Sequence, residues 1–111
     1  KELKNVQSIS LQEADNSVHS NWMFGIRVHN NKGYKHAESF FKENKIETRP
    51  MFYSTTTHKY LKNYKQVNFG SETNSLTLNR ECLLLPSYPS LTNQDLNHII
   101  SSVKRYAIYD K

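Results

Sequence analysis

The segment from Arg49 to His58 contains the residue types that could do chemistry. It places a cation, two aromatic rings and four consecutive hydroxyl groups together, in the order Arg-Pro-Met-Phe-Tyr-Ser-Thr-Thr-Thr-His. A guanidinium binds carboxylates and phosphates through paired N–H donors, and hydroxyls on a loop add further hydrogen bonds. The segment therefore suits an anionic or sugar-bearing ligand, while an ordinary exposed loop with a surface arginine is an equally good interpretation.

Other residues give little support to a self-contained enzyme. The serines lack the G-x-S-x-G motif of a hydrolase nucleophile, and the three glycines are too scattered to form a phosphate-binding loop. Cys82 is the single cysteine, and its apolar neighbours predict a buried, unreactive thiol. A metal site is not expected either, because zinc-site spacing is missing among the five histidines, which are His19, His29, His36, His58 and His98.

The composition fits one globular domain. The chain has 111 residues, of which 36% are hydrophobic and 23% charged, and its aromatic residues can fill a modest core. No apolar run reaches the roughly 20 residues of a membrane span, and no leader-like segment is present, so a cytoplasmic location is expected. The formal charge of +5 comes from scattered lysines and arginines, which favours a solvated surface over a nucleic-acid interface.

Alternating polarity predicts several short strands. Residues 21–29 alternate with period two, which puts four large side chains on one face: Trp22, Phe24, Ile26 and Val28. Further extended pieces are predicted around Ile9 and Leu11, at residues 46–53, and at residues 82–85, which Pro86 ends. Trp22 and the Phe40–Phe41 pair are predicted to lie in the core.

Helical spacing predicts three helices. The first runs from Tyr34 to about Lys45, the second is a weaker candidate over 71–80 with Ser71 as its cap, and residues 58–64 can form one helical turn. Thr92 and Asp95 form a capping box at the start of the last helix. Its apolar face then follows helical spacing: Leu96, Ile99, Ile100, Val103 and Ala107. The order predicts an α/β (α+β) sandwich, with a small mixed or antiparallel sheet and helices packed mainly on one face.

Taken together and in this order, these pieces resemble the C-terminal domain of the DegT/StrS-type sugar aminotransferases, which depend on pyridoxal phosphate (PLP). The resemblance covers nearly the whole chain and is carried by five segments: 21–28, 40–45, 46–53, 83–92 and the final helix to Ala107. The sequence Ile-Glu-Thr-Arg-Pro-Met-Phe-Tyr at 46–53 is most similar to the perosamine-synthase members of the family.

The resemblance implies a small domain of the aspartate-aminotransferase-like fold, called fold type I. It implies that the large PLP-binding domain, with its Schiff-base lysine, is absent from this chain, since none of the chain's lysines has the family's lysine context. The complete enzyme would be a homodimer that transfers an amino group from glutamate to a 4-keto-6-deoxy sugar nucleotide. No nucleic-acid or membrane partner is implied.

The resemblance also suggests roles for the segment from Arg49 to His58. Arg49 would face a substrate carboxylate or diphosphate, Phe52 and Tyr53 would pack beside it, and Thr57 or His58 would offer hydrogen bonds. Many relatives have Pro-Leu-His after the Phe-Tyr pair, whereas here His58 comes two positions later. The alternative is a non-catalytic module that binds a sugar, a nucleotide or a protein through the 49–58 loop.

Overall fold

The fold is that of a computed structural model, which describes residues 2–13, 15–18, 20, 22–29, 32–64 and 72–109. It contains four strands, β1 (Ile9–Leu11), β2 (Phe24–Val28), β3 (Arg49–Pro50) and β4 (Cys82–Leu85). Three helices accompany them, α1 (Tyr34–Glu43), α2 (Glu72–Glu81) and α3 (Asn93–Tyr109). Two short 3₁₀ turns are also present: Lys59–Leu61 lies within 58–64, where one helical turn is predicted, and Thr55–Thr57 precedes it.

The four strands form one antiparallel sheet in the order β1-β2-β4-β3. The prediction of a small mixed or antiparallel sheet is therefore confirmed, in its antiparallel form. Leu84 lies opposite Gly25 on one side and opposite Arg49 on the other. Arg49 is thus on the same face of the sheet as Leu84, at the edge strand.

The core lies on the other face of the sheet. Ile26 and Leu83 are paired across β2 and β4, and both are buried. Helices α1 and α3 cover this face with a set of buried side chains that includes Ala37, Phe41, Val103 and Tyr106. The predicted alternation of β2 and the apolar face of α1 are therefore correct where a helix lies above the strand.

Tyr106 is a core residue that the periodicity of α3 did not single out. It is fully buried, and its ring centroid lies 5.2 Å from that of Phe40 and 5.6 Å from that of Phe41. Its hydroxyl is 3.2 Å from His36 Nδ1, so the polar end of the side chain has a partner inside the fold.

The capping box at the start of α3 is confirmed. The Asp95 backbone N–H donates to Thr92 Oγ1 at 3.1 Å, and the Thr92 backbone N–H donates to Asp95 Oδ2 at 3.0 Å. These bonds satisfy two of the N–H groups that a helix start leaves without partners. Of the predicted apolar face, Ile99, Val103 and Ala107 are buried and Ile100 is partly buried, whereas Leu96 is exposed.

The prediction that Trp22 belongs to the strand and to the core is wrong. Trp22 is 73% exposed and precedes β2, and Asn21 lies outside the described residues. The reason is that sheet pairing ends at Phe24 and Leu85, because Pro86 follows β4 and leaves no partner for Trp22. The segment 46–53, predicted as a strand or edge segment, forms the edge strand β3 at Arg49 and Pro50, and beyond it the Met51 backbone N–H donates to the Cys82 carbonyl at 3.4 Å.

The helix boundaries differ from the predicted ones by small amounts. Helix α1 ends at Glu43 rather than near Lys45, because Lys45 adopts a left-handed backbone with φ of 58°. Helix α2 runs to Glu81, and the predicted cap Ser71 lies outside the described residues. Among the helices of the described ranges, none combines the length and the hydrophobicity that crossing a bilayer requires.

Candidate functional site

A groove with a volume of about 640 Å³ opens at the end of the sheet where β4 leaves it. It lies between the β3 edge, the turn that follows β4 and the first two turns of α3. A cavity of this size is in the range of small-molecule sites. The groove is where the structure brings chemically useful side chains together: Trp22, Lys45, Glu47, Arg49, Tyr88, Asp95 and His98.

Arg49 is the residue of this set that the sequence also predicted. Its side chain is 78% exposed, and its Nη2 lies 3.7 Å from Glu47 Oε1, whose side chain is 81% exposed. An ion pair this long and this exposed contributes little, because water screens both charges. The guanidinium can therefore exchange Glu47 for a phosphate or a carboxylate at small cost.

Trp22 and Tyr88 give the groove an aromatic wall. Tyr88 is 55% exposed and follows β4 in the sequence Pro-Ser-Tyr-Pro. Ser87 Oγ donates to the Trp22 backbone carbonyl at 3.3 Å, which connects the two segments that present the aromatic rings. Sequence reasoning missed both residues as site candidates, although an aromatic residue between two prolines after a buried strand was an available signal.

The polar side of the groove has both signs of charge. Lys45 and Arg49 are cations, while Glu47 and Asp95 are anions. The hydrogen bonds from Thr92 lower the pKa of Asp95 and hold its carboxylate in the capping box. His98 donates its Nε2–H to the Asn44 carbonyl at 2.9 Å, which fixes the imidazole between α3 and the end of α1.

The other predicted site residues lie outside the groove lining. Phe52 and Tyr53 are 66% and 59% exposed. The Tyr53 and His58 rings approach each other, with centroids 6.4 Å apart, and the His58 ring also lies 5.2 Å from that of Tyr60. The structure therefore groups Tyr53 with His58 on an aromatic surface of the 51–58 loop, and it groups Arg49 with the groove.

The hydroxyl run orders this loop. Thr57 Oγ1 donates to the Ser54 carbonyl at 2.7 Å, and Ser54 Oγ lies 2.9 Å from Thr56 Oγ1. Ser54 is buried and accepts a hydrogen bond from Ser75 of α2 at 3.0 Å. Asn79 of α2 adds a bond to the Met51 carbonyl at 3.1 Å. The hydroxyl groups near Ser54 thus form hydrogen bonds with one another, with the backbone and with Ser75 of α2.

Tyr34 is the aromatic residue of α1 that meets this loop. Burial raises the pKa of Tyr34, and the neighbouring Tyr53 phenol contributes through its charge and a hydrogen bond. Tyr53 is therefore positioned by α1 as well as by His58.

The described residues do not form a PLP site. A Schiff-base lysine works from an enclosed pocket in which its amine is desolvated. Each described lysine is instead exposed, and this includes Lys45 at the groove. The described histidines, cysteine and carboxylates also form no cluster that could hold a metal ion.

Comparison with protein families decides what kind of domain this is. The model of the DegT/DnrJ/EryC1/StrS aminotransferase family matches residues 1–104. The chain belongs to this family. Its members are PLP-dependent and act on nucleotide sugars.

Individual relatives agree with the assignment. The chain is 26% identical over 106 residues to the GDP-perosamine synthase of Escherichia coli O157:H7. The aligned region covers 93% of this chain and 28% of that enzyme. The fold matches that of S. venezuelae DesV in complex with a ketimine intermediate, with a TM-score of 0.80 at 18% identity, covering 96% of this chain and 28% of DesV. A DegT DnrJ EryC1 StrS aminotransferase from Brucella abortus matches with a TM-score of 0.79 at 20% identity, covering 96% of this chain and 27% of that protein. The architecture is that of the small domain of sugar aminotransferases.

Proposed function

We propose that this chain is the C-terminal small domain of a cytoplasmic, PLP-dependent nucleotide-sugar aminotransferase that is a homodimer when complete. The enzyme transfers an amino group from glutamate to the C4 ketone of a 4-keto-6-deoxy sugar nucleotide. The family match over residues 1–104 is the observation that supports this proposal most strongly. The chain spans 28% of the length of its curated relative, so the lysine that carries PLP is assigned to a larger domain.

The contribution of this domain is to bind and orient the substrate. When PLP is bound by the larger domain, it supplies the electron sink of the reaction, and this chain forms a wall of the cleft beside it. Arg49 provides a charged donor pair for the substrate carboxylate or diphosphate, since its exposed contact with Glu47 is easily replaced. Orientation by such a contact lowers the entropic part of the barrier.

The 51–58 loop forms the neighbouring part of the same wall in this proposal. Phe52 and Tyr53 present aromatic faces for the apolar side of the sugar, and His58 presents its imidazole next to Tyr53. Thr57 already donates its proton to Ser54, so its hydroxyl oxygen acts as an acceptor for a substrate hydroxyl. The loop can be specific because α2 holds its backbone through Asn79.

Perosamine synthesis is the particular reaction we propose. The support is the 26% identity to GDP-perosamine synthase and the sequence Ile-Glu-Thr-Arg-Pro-Met-Phe-Tyr around Arg49. A synthase of this kind would act on a GDP-linked 4-keto-6-deoxy sugar.

Transamination by the full-length protein tests the proposal. With PLP and glutamate, it should convert a GDP-linked 4-keto-6-deoxy sugar to the amino sugar and release 2-oxoglutarate. A protein that binds the nucleotide sugar without transferring an amino group would instead support the non-catalytic binding module.

Arg49→Ala tests the role of the groove in that reaction. We expect kcat/KM to fall by about 10- to 150-fold, which corresponds to about 1.5–3 kcal/mol for a hydrogen bond to a charged group. Arg80→Ala is the matched control, because Arg80 is similarly exposed at 72% and lies outside the groove lining. Wild-type kinetics from Arg49→Ala would remove Arg49 from the substrate site.

A further inference from the structure

Trp22 and Tyr88 are exposed although aromatic side chains of this size normally contribute to a core. Trp22 is 73% and Tyr88 55% exposed, and both line the same groove. Their backbones are held in place, because Ser87 bonds to the Trp22 carbonyl and prolines flank the Ser87–Tyr88 pair on both sides. Exposed aromatic rings on a fixed backbone form a surface on which a planar ring can stack at low entropic cost.

Cationic groups line the same groove. Arg49 and Lys45 are both exposed, and each belongs to the stretch between α1 and the end of β3. The groove lining also contains two carboxylates, of which Asp95 is held by Thr92 and Glu47 is paired with Arg49. Both carboxylates keep their negative charge, so an anion in the groove is favoured through direct contact with Arg49 and Lys45 and must lie away from Asp95 and Glu47.

We propose that this groove binds the nucleoside diphosphate part of the substrate. The nucleobase stacks on Trp22 and Tyr88, and the phosphates bind Arg49 and Lys45. The volume of about 640 Å³ is sufficient for a ligand of this size. The inference rests on the proposed function and goes further, because it assigns the base and the phosphates to separate residues of one groove.

The assignment predicts that base and phosphate contacts can be lost independently. The test measures the dissociation constants of GDP, UDP, dTDP and inorganic diphosphate for the full-length protein by calorimetry. Trp22→Ala and Tyr88→Ala should each weaken nucleotide binding by about 5- to 150-fold, the effect of removing one stacking partner, and leave diphosphate binding unchanged. Arg49→Ala should weaken nucleotides and diphosphate by similar factors.

Conservative and matched variants sharpen the test. Trp22→Phe retains an aromatic face and should keep nucleotide affinity close to wild type. Tyr64→Ala removes a tyrosine that is 69% exposed outside the groove lining, so it should not change any of the constants. Because all of these side chains are exposed, the variants are expected to fold.

Two outcomes would overturn the inference. One is nucleotide binding that stays within about twofold of wild type in both Trp22→Ala and Tyr88→Ala, a change too small for a lost stack. The other is a loss of PLP from these variants with nucleotide affinity unchanged, because PLP also combines a planar ring with a phosphate. Either result can occur while the full-length protein still transaminates keto sugars, so failure of this inference is distinguishable from failure of the proposed function.

Discussion

Tyr106 and Trp22 are both large aromatic residues, and they have opposite surroundings. Tyr106 is fully buried between α1 and α3, with its hydroxyl beside His36, whereas Trp22 is 73% exposed at the edge of an open groove. In the first region, the ring and the hydroxyl of Tyr106 both contact other residues of the domain. The second presents two mostly exposed aromatic rings and the weakly paired guanidinium of Arg49. The comparison indicates that one part of this molecule maintains the fold and the other is available for a ligand.

The polar groups of the two regions differ in the same way. In the described residues, no buried side-chain nitrogen or oxygen lacks a hydrogen-bond partner. At the groove, the contact between Arg49 and Glu47 is long and almost fully exposed. Mutations should therefore affect stability in the first region and binding in the second.

Phe41→Ala should give the largest effect on stability. Phe41 is fully buried against Phe40 and Tyr106, so truncation leaves a cavity and should lower the free energy of unfolding by about 3–5 kcal/mol. Urea denaturation measures this value. Phe52→Ala is the matched control, because the same truncation at a residue that is 66% exposed should change the free energy by less than about 0.5 kcal/mol. Equal losses in the two variants would contradict the division into two regions.

Thr92→Ala should give an intermediate effect. The lost cap of α3 should lower the free energy of unfolding by about 1 kcal/mol near neutral pH. Thr92 lowers the pKa of Asp95 in the folded state, so this part of the stabilisation is present above the ordinary Asp pKa and is lost as the pH falls through the lowered value. The difference between wild type and variant should therefore narrow below about pH 4. Urea denaturation at pH 7 and at pH 3 measures the difference in free energy of unfolding between the two proteins. A difference that is larger at pH 3 than at pH 7 would contradict the assigned capping box.

Trp22→Ala should give the smallest effect on stability. Because Trp22 is mostly exposed and lies beyond the paired part of β2, its truncation should change the free energy of unfolding by less than about 0.5 kcal/mol. Thermal and urea denaturation measure the change. A loss comparable to that of Phe41→Ala would show that Trp22 belongs to the folding core, as its alternation with Phe24 first suggested.

Much of this fold could be predicted from local sequence patterns. The alternation around Ile26, the helical spacing after Tyr34 and the capping box at Thr92 each describe a preference that the residues express without distant partners. The antiparallel order of the sheet also agrees with the prediction. These features were predictable because local propensity and final packing point to the same structure.

The site was less predictable because it depends on where elements end. Trp22 continues the alternation of β2, but β4 stops at Leu85, so Trp22 has no cross-strand partner in the described sheet. The structure places Arg49 in the groove lining, whereas the hydroxyls beside it bond to one another and to Ser75. Residue types alone do not distinguish hydroxyls that bind a ligand from hydroxyls that order a loop.

The first and last elements of this domain meet. Ser8 Oγ donates to the Ala107 carbonyl at 3.1 Å, and Lys104 Nζ donates to Glu2 at 2.9 Å. Leu3 and Ile9 share the core with Val103 and Tyr106. During synthesis β1 can pair with β2 early, but its contacts with α3 must wait until α3 emerges from the ribosome. Contacts this distant in sequence slow folding, and shortening of α3 would leave β1 held by its pairing with β2 alone.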